Sequence, residues 1–476
     1  MSDLIQKSAR EVVRLLREGA ETPTSVLEAL RRHVADADRQ VNALPIQFFD
    51  AAAERAARLE AEVPDPAGRG LLAGLPVAVK DYNDVAGQRT THGSPLFADH
   101  VATRSDAMVS VLENNGGIPY AKSNVPEFAG GHTYNTLFGP SRNPWNLDRS
   151  VGGSSGGSAA ALASGSAWLA TGNDLGGSLR TPSGYNATVG LRPTPGRIPR
   201  RRPAIPFDPL WVEGPMARNV GDVALMLDAM VGHDLHDPLT KPERPLSFLE
   251  RLTTFDAPTR VGFSPDLGCL PVEPAMRGVC GDAMKHFDAL GADVVADCPD
   301  FTGAYDAFQA LRSHLVAAVH GGLLAEHRSE IKPDIVWNIE RGLTQSTETL
   351  LSAERIRGQL FHQMADYFET HDLLVIPSAP LDPFPAEWTY PERIDGVESR
   401  TYIDWIAITF CVSLTGCPVV ALPCGFSDAG LPVGLQLVGA PGQEARLLAH
   451  AQMFESSVGI ASSLPVAPRR PKVATS

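Results

Sequence analysis

The sequence predicts an α/β protein in which one large domain surrounds a mixed, twisted β-sheet. Short apolar runs of strand length occur from residues 71–80 in the first hundred residues to 433–438 in the last sixty. Amphipathic helical patterns separate these runs, and no linker-like change of composition divides them. Strands and helices that alternate along the whole chain favour a single mixed sheet flanked on both faces by helices.

The individual elements can be placed from their apolar periodicity and from the residues that bound them. Helices are expected over residues 1–19, 22–34, 106–115, 159–172, 219–231, 275–290, 304–328, 335–367 and 444–454. Strands are expected over residues 71–80, 118–121, 260–263, 292–296, 373–377, 417–423 and 433–438. The span 259–297 is predicted to form one β-α-β unit.

Composition and charge exclude several classes of partner. The 476 residues include 41 Lys and Arg against 55 Asp and Glu, which gives a formal net charge of −14. This excess of acid argues against nucleic acid or an anionic membrane surface as the main partner. The one dense basic cluster is therefore expected to be a solvated loop; it comprises Arg197, Arg200, Arg201 and Arg202.

Neither a membrane span nor a disulfide framework is expected. No run of about 18 strongly apolar residues occurs, and the N-terminal helical pattern lacks the apolar stretch of a secretory signal. The six cysteines include no CxxC pair, so we expect them to be reduced, mostly buried and without a zinc-finger site. A cytoplasmic location is the default expectation.

Two Gly/Ser-rich runs, residues 151–158 and 174–180, form the candidate functional centre. Glycines let a backbone bend sharply and approach a ligand, and serine hydroxyls can act as nucleophiles or proton carriers. A flexible linker is disfavoured, because the alanine-rich segment between the runs belongs in a packed element. A phosphate-binding loop is also disfavoured, since neither a Walker A nor a GxGxxG pattern follows a strand here.

Residues 152–156 also satisfy the GxSxG pattern of an α/β-hydrolase-type esterase, with Ser154 as nucleophile. Such an elbow needs a strand immediately before the serine, whereas residues 142–150 are predicted to be a loop. This interpretation stays open as an alternative, and the histidines that could serve as its base are His320, His327 and His362.

A third interpretation joins Lys80 to both serine-bearing runs. Serine is a poor nucleophile until a base removes its proton, and lysine can be that base only when it is neutral. Burial favours the neutral form, and Lys80 directly follows the apolar run 75–79. A second serine can relay the proton, while the pair Gly176 and Gly177 can offer backbone N–H groups to an oxyanion.

These residues closely resemble the signature of the amidase signature family. The matching motifs are GSSGGSAA at 153–160, DLGGSLRTP at 174–182 and GLRPT at 190–194. The resemblance extends from GLPVAVK at 74–80 to GLQLVG at 434–439 and is weakest between residues 234 and 372. Several motifs in the right order are far more specific than an isolated GxSxG.

The resemblance implies the amidase signature fold in one domain over residues 1–464. Its expected parts are N-terminal helices (1–63), a catalytic core (64–232), variable pocket helices with the β-α-β unit (233–372) and C-terminal strands with a helix (373–464). A flexible tail is expected over residues 465–476.

The same resemblance assigns catalytic roles. Lys80 would be the base, Ser154 the bridging serine and Ser178 the acyl nucleophile, without a metal or organic cofactor. The peptide bond before Ser154 would be cis. The oxyanion hole would be formed by the backbone N–H groups of Leu175, Gly176, Gly177 and Ser178.

Further residues receive supporting or binding roles from the resemblance. Ser155, Asp174 and Arg180 would support the site, and Ala129, Gly130 and Ser154 would contact the substrate. Two positions depart from the family: Asn173 stands where Thr or Ser is usual, and Leu179 where Ile is usual. These departures leave the chemistry intact but alter the local packing.

The implied function is hydrolysis of a small-molecule carboxylic amide, with esters and carbamates as further candidate substrates. One alternative is the A subunit of a tRNA-dependent glutamine amidotransferase, although such subunits tend to carry an acidic residue where Pro126 stands. Another is a catalytically inactive binding protein on the same fold. A homodimer is also considered. The aromatic residues that suggest an apolar or aromatic substrate group are Phe207, Trp211, Trp388 and Trp405.

Overall fold

An eleven-stranded mixed β-sheet runs through the molecule and sets the lysine-bearing strand next to a serine-bearing loop. The computed structural model describes residues 3–201, 204–242 and 246–470. Its strands, including two short hairpins outside the main sheet, are β1 (Ile46–Gln47), β2 (Pro76–Lys80), β3 (Ile118–Ser123), β4 (Arg142–Asn143), β5 (Asn146–Ser150), β6 (Leu169–Asp174), β7 (Val189–Arg192), β8 (Val212–Ala217), β9 (Arg260–Phe263), β10 (Asp293–Val295), β11 (Leu373–Pro377), β12 (Arg393–Ile394), β13 (Val397–Glu398), β14 (Val419–Phe426) and β15 (Pro432–Val438).

The main sheet has the strand order β1-β3-β2-β6-β8-β7-β14-β15-β11-β9-β10. Strands β3, β2 and β6 are mutually parallel, as are β11, β9 and β10, whereas the strands between these groups pair antiparallel. The prediction of a mixed sheet in one α/β domain is therefore confirmed. The β-α-β unit is also confirmed, because β9 and β10 are adjacent and parallel.

Helices cover the sheet. In chain order they are α1 (Asp3–Gln6), α2 (Ala9–Arg17), α3 (Pro23–Val41), α4 (Phe49–Glu62), α5 (Ala107–Asn114), α6 (Gly156–Ala163), α7 (Arg180–Asn186), α8 (Val220–Met230), α9 (Pro274–Asp282), α10 (Lys285–Ala289), α11 (Ala304–His320), α12 (Leu324–His327), α13 (Pro333–Thr344), α14 (Thr347–Tyr367), α15 (Ala407–Ser413) and α16 (Glu444–Val458). None of those in the described ranges is long and apolar enough to cross a membrane.

The small-residue segment 159–172 is not one helix, so this prediction is wrong. Helix α6 ends at Ala163, and after a turn at Gly165, whose φ is +78°, the chain enters the central strand β6. Glycine adopts this left-handed conformation without a steric penalty and so ends the helix. The apolar composition that suggested a packed helix reflects a strand buried within the sheet.

Four helical patterns are broken where the sequence predicts continuity. The described part of the 1–19 pattern forms α1 and α2, because the Ser8 side chain accepts the Glu11 N–H and caps a new helix. The 335–367 pattern forms α13 and α14, because the Ser346 side chain accepts the Thr349 N–H and caps a new helix. The 275–290 pattern forms α9 and α10. The 304–328 pattern is α11 and α12 with a 3₁₀ turn at Gly321–Leu323 between them.

The basic cluster is not a solvated loop. Arg200 is only 6% exposed and donates to the backbone carbonyls of Asp208 and Trp211. Arg197 pairs with Glu444 at 2.7 Å, and Arg201 pairs with Asp234 at 2.8 Å. Arg202 lies outside the described residues. Carbonyls and carboxylates supplied by distant parts of the chain thus neutralise charges that look solvated in sequence.

The chain end and the cysteines complete the fold. The Val466 N–H donates to the Ala163 carbonyl (2.8 Å) and the Arg469 N–H to the Pro144 carbonyl (3.1 Å), so residues 465–470 contact the body of the protein. Residues 471–476 lie outside the described part. All six cysteines are free thiols, as predicted, and four of them are buried: Cys280, Cys411, Cys417 and Cys424.

Candidate active site

Lys80 ends a strand that is buried along its whole length. Strand β2 lies between β3 and β6, and the Lys80 side chain has no solvent exposure. Its backbone N–H donates to the Thr171 hydroxyl on β6 at 2.9 Å. Its Nζ lies 2.7 Å from Ser154 Oγ, 2.8 Å from Ser155 Oγ and 2.6 Å from Asn173 Oδ1. Three polar oxygen atoms thus hold a lysine nitrogen inside the protein.

The loop between β5 and α6 delivers both serines to this lysine. The Gly153–Ser154 peptide bond is cis, as the resemblance implied. A Cβ atom on Gly153 would stand 2.4 Å from the Gly131 carbonyl oxygen, so the loop passes too close to another segment for a side chain. Ser155 directly precedes α6 and is fully buried, whereas Ser154 lines an adjacent cleft.

Ser178 lies in the loop between β6 and α7 and faces the same cleft as Ser154. Its side chain retains 8% exposure, and its carbonyl accepts the Ser155 N–H at 3.2 Å. The preceding Gly177 has φ +126°, and a Cβ atom there would stand 2.0 Å from Thr409 Oγ1. Only glycine fits a backbone with this conformation and this close approach.

A buried charge cluster lies beneath the Ser178 loop. Asp174 forms ion pairs with Arg180 at 2.8 Å and Arg192 at 3.2 Å, and all three side chains are fully buried. Burial opposes the ionised form of Asp174, but the two guanidinium groups and the hydrogen bonds outweigh it and hold its pKa well below the usual range. Burial lowers the pKa of Arg192 to about 10. The cluster ties β6, α7 and β7 together around the loop.

The proposed set of oxyanion-hole donors needs one correction. The Gly177 N–H donates to Asp174 Oδ1 at 2.8 Å, so this donor is already committed within the protein. No acceptor for the N–H groups of Leu175, Gly176 and Ser178 is found among the described residues. The sequence could not show this difference, because it depends on where the Asp174 carboxylate points.

The cleft beside Ser178 is mainly apolar. Its empty volume is about 480 Å³, open solvent included. Ala129, in a left-handed conformation with φ +60°, lines the cleft, whereas Gly130 lies behind it, packed against Ile335. The remaining lining residues are Phe128, Asn173, Leu175, Trp211, Arg312, Leu315, Val316, Val319, His320, Ile335 and Asn338.

Of the four aromatic residues expected at the pocket wall, only Trp211 lines this cleft. Trp405 is 1% exposed and packs in the core, while Phe207 is 74% exposed. Trp388 is 52% exposed and borders a separate surface cavity. The position of one aromatic residue in the sequence does not indicate whether its side chain lines the cleft, packs in the core or lies on the surface.

The sequence predicted pocket helices in this region but did not single out Arg312 on α11 or Asn338 on α13. It named His320 only as a base for the α/β-hydrolase alternative. All three residues fall in the segment where the family resemblance is weakest, so no motif marks them. A helical-face count would have placed Arg312 one turn from the apolar Leu315 and Val316. Asn173 was noted only as a departure from the family, yet it contacts Lys80 directly.

A second buried lysine lies close by and has different surroundings. Lys122 on β3 donates to the Thr90 hydroxyl at 2.7 Å and lies 4.0 Å from Asp81. Burial lowers its pKa, although the Asp81 charge opposes that effect. It is absent from the cleft lining, and among the described residues its amine forms no hydrogen bond with a serine hydroxyl. Within the described ranges, no group of three or more His, Cys, Asp or Glu is arranged to hold a metal ion.

The fold and the cluster of buried lysine, paired serines and glycine loops define an amidase-type protein. The Amidase family model matches residues 25–448, and the chain belongs to the amidase signature family. The prediction of a loop over residues 142–150 is wrong, because β4 and β5 form a hairpin there. This hairpin lies outside the main sheet, and Arg149 of β5 also bridges Pro385. The fold therefore excludes the α/β-hydrolase alternative, which needs a strand of the central sheet before the nucleophile.

Individual relatives are similar over nearly their whole length. An acylamidase from Rhodococcus erythropolis is 33% identical, covering 94% of this chain and 95% of the relative. The A subunit of the glutamyl-tRNA(Gln) amidotransferase from Heliobacterium modesticaldum is 30% identical over 97% and 99% of the two chains. The crystal structure of a bacterial aryl acylamidase of the amidase signature enzymes superposes with a TM-score of 0.91 at 28% identity, covering 99% of this chain and 100% of that one.

Proposed function

We propose that the protein hydrolyses small linear amides through an acyl-enzyme on Ser178. The observation that carries this proposal is the contact between the buried Lys80 amine and Ser154, whose side chain shares a cleft with Ser178. A neutral lysine beside a serine hydroxyl is a base that can activate a nucleophile. The match to the acylamidase supports cleavage of an amide rather than a different bond.

The hydrogen-bond pattern favours Ser154 over Ser155 as the proton bridge. A neutral amine donates two hydrogen bonds and accepts one. Asn173 Oδ1 can only accept, and the Ser155 hydroxyl already donates to the Asn173 carbonyl at 3.3 Å. Both therefore accept from Lys80. Among these three neighbours, only the Ser154 hydroxyl is left to donate its proton to the amine.

The reaction then proceeds in two halves. Ser178 Oγ attacks the amide carbonyl carbon while its proton passes to Ser154, whose own proton passes to Lys80. The backbone N–H groups of Leu175, Gly176 and Ser178 hold the oxyanion that develops on the carbonyl oxygen. Lys80 returns the proton through Ser154 to the leaving amine. Water then attacks the ester of Ser178 along the same proton path and releases the carboxylic acid.

The walls of the cleft suggest the substrate class. Phe128, Leu175 and Trp211 give it an apolar character that suits an aliphatic or aromatic group on the amide. Ala129 and Ser154 would contact the reacting group, and Gly130 would act indirectly through the position of its neighbour. Esters and carbamates have carbonyl carbons that the same serine can attack, so they are secondary candidate substrates.

Substitutions of the lysine and of the three serines test the assignment. We expect Ser178→Ala and Lys80→Ala to lose turnover of an anilide while keeping the wild-type circular dichroism spectrum. Ser154→Ala should lose far more activity than Ser155→Ala, because only Ser154 bridges to the nucleophile. Labelling by a fluorophosphonate probe should occur in the wild type and be absent in Ser178→Ala. Substantial anilide hydrolysis by purified Ser178→Ala would falsify the proposal.

A second candidate is the A subunit of a glutamine amidotransferase, which the 30% identical relative favours. Pro126 stands where those subunits tend to carry an acidic residue, which argues for the simple hydrolase. The isolated chain distinguishes the two. Hydrolysis of anilides without partner subunits supports the hydrolase, whereas release of ammonia from glutamine only in a complex supports the amidotransferase.

A further inference from the structure

Three polar side chains that line the active-site cleft have buried hydrogen-bonding atoms for which no partner is found among the described residues: Asn173, Arg312 and Asn338. Asn173 belongs to the lysine site already described, whereas the other two lie on helices. Nη1 of Arg312 is buried, and no hydrogen-bond partner for it is found among the described residues. The same holds for both Nδ2 and Oδ1 of Asn338, whose side chain is fully buried. A donor or acceptor that is buried without a partner destabilises the protein, and a charged group does so more strongly. Such groups in one cleft indicate that a ligand completes them.

Arg312 is held in place but its charge is not neutralised. It is 6% exposed, its Nη2 donates to the Tyr402 hydroxyl, and its guanidinium carbon lies 5.1 Å from the centre of the Tyr402 ring. No carboxylate pairs with it in the part of the chain that the structure describes. Lys332, which also lies over the Tyr402 ring, differs because Asp334 pairs with it at 3.0 Å.

Arg312 and Asn338 reach the cleft from two helices that pack together. Arg312 belongs to α11 and Asn338 to α13, and both line the cleft that contains Ser178. Apolar side chains of the same helices, Leu315 and Ile335, line the cleft as well. The site therefore combines an apolar wall with a buried cation and an amide donor.

We propose that this pair binds a carboxylate carried by the substrate away from the scissile amide. A guanidinium N–H and an amide N–H together can donate to the two oxygens of one carboxylate. Asn338 Oδ1 can then accept a hydrogen bond from an N–H or O–H group of the same ligand. The inference rests on the proposed amide hydrolysis and narrows it to amides that combine an apolar body with a carboxylate.

Matched substrates test the proposal on each side of the scissile bond. Succinyl-4-nitroanilide carries the carboxylate on the acyl side, and 4-methylpentanoyl-4-nitroanilide is its neutral isostere. N-acetyl-3-aminobenzoate carries the carboxylate on the amine side, and N-acetyl-3-isopropylaniline is the neutral counterpart. We expect the wild type to prefer the carboxylate in at least one pair by about 10- to 100-fold in kcat/KM, the range of a charge-assisted hydrogen bond.

Variants then assign the preference to these residues. Arg312→Met should remove it by raising KM for the carboxylate substrate, with turnover of the neutral isostere retained. Asn338→Leu should reduce it in the same direction. Arg328→Met is the matched control, because it removes an equal charge from an arginine that does not line the cleft, is 57% exposed and is paired with Glu340. If Arg312→Met does not fold, the carboxylate preference is measured instead in Arg312→Lys and Asn338→Leu.

The outcomes separate this inference from the function on which it rests. Hydrolysis of the neutral amides with no carboxylate preference in either pair overturns the carboxylate site and leaves the amidase intact. An equal loss for charged and neutral substrates in Arg312→Met also overturns it, because that result describes a structural role. Failure of the wild type to hydrolyse all four amides contradicts the proposed function and the inference together.

Discussion

The Nζ atom of Lys80 lies 2.6 Å from Oδ1 of Asn173, closer than it lies to either serine of its site. Asn173 stands at the end of β6, the strand that also supplies the Thr171 hydroxyl to the Lys80 backbone. The carboxamide oxygen fixes the amine without bringing a negative charge, so it orients the base and still allows the neutral form. A position that departs from the family thus contacts the residue proposed as the base.

Changing Asn173 to Asp should impair the base through charge alone. A carboxylate this close favours the ammonium form of Lys80, and an ammonium ion cannot take a proton from Ser154. We expect kcat/KM at pH 7 to fall by about 100-fold. We also expect the pH at which kcat/KM begins to rise, as Lys80 loses its proton, to be higher in the variant than in the wild type. Asn173→Ser restores the residue type usual in the family and is the control. A pH profile of Asn173→Asp that matches the wild type would count against this role.

Asp174→Asn should destabilise the protein strongly. The substitution leaves Arg180 and Arg192 buried without their shared carboxylate, which costs about 3–5 kcal/mol in comparable buried pairs. Urea unfolding followed by circular dichroism measures the loss. Asp36→Asn, which breaks an exposed pair with Arg39, should change stability by under about 1 kcal/mol.

The same cluster predicts acid sensitivity. The pKa of Asp174 is held below its unfolded value, so its contribution is present above about pH 4 and is lost as the pH falls further. The wild type should therefore lose free energy of unfolding below about pH 4. The difference between wild type and Asp174→Asn should shrink over that interval, and a constant difference would contradict the assignment.

Glu455 should oppose stability at alkaline pH. Burial raises its pKa to about 7, although the Val220 N–H donates to its carboxylate at 2.9 Å. A raised pKa in the folded state means that the protein is most stable when Glu455 is protonated. This stability is fully present below the unfolded pKa of about 4.3 and is lost as the pH rises through 7. Glu455→Gln keeps an acceptor for Val220 and removes the charge. We expect it to raise the free energy of unfolding at pH 8 by about 2 kcal/mol relative to wild type.

Thermal unfolding at several pH values checks the sign of this effect. The gain in Glu455→Gln should vanish near pH 4, where the wild-type carboxyl is protonated in the folded state. The exposed Glu392 serves as control, because Glu392→Gln should leave the melting temperature unchanged at both pH values. A gain that is the same at pH 4 and pH 8 would show that protonation is not its cause.

Gly177→Ala should displace the nucleophile loop. The added Cβ would meet Thr409 Oγ1 at 2.0 Å, and φ of +126° is unfavourable for alanine. Because Ser178 and the oxyanion donors lie in this loop, kcat should fall by about 100-fold or more. Gly358→Ala on α14 meets no atom within 4 Å and should retain full activity with equal or greater stability.

Much of the fold could be predicted because local patterns and burial agree. Strands β9 and β11 begin and end where the sequence predicts. Helix α3 begins after Thr22, as predicted, because the Thr22 side chain accepts the Ser25 N–H three residues later. Predictions failed where one residue redirects the chain. Gly165 divides α6 from β6, and Ser346 starts α14 inside an uninterrupted helical pattern.

The sequence by itself determined which residues are available for chemistry, because Lys80, Ser154 and Ser178 stand in motifs whose order and spacing are distinctive. Only the tertiary structure decided how their neighbours act. Hydrogen bonds are directional, so the commitment of the Gly177 N–H to Asp174 and the approach of Asn173 to Lys80 depend on side-chain positions. The unpaired charge of Arg312 in the cleft likewise arises from the packing of α11 against α13, which no local pattern encodes.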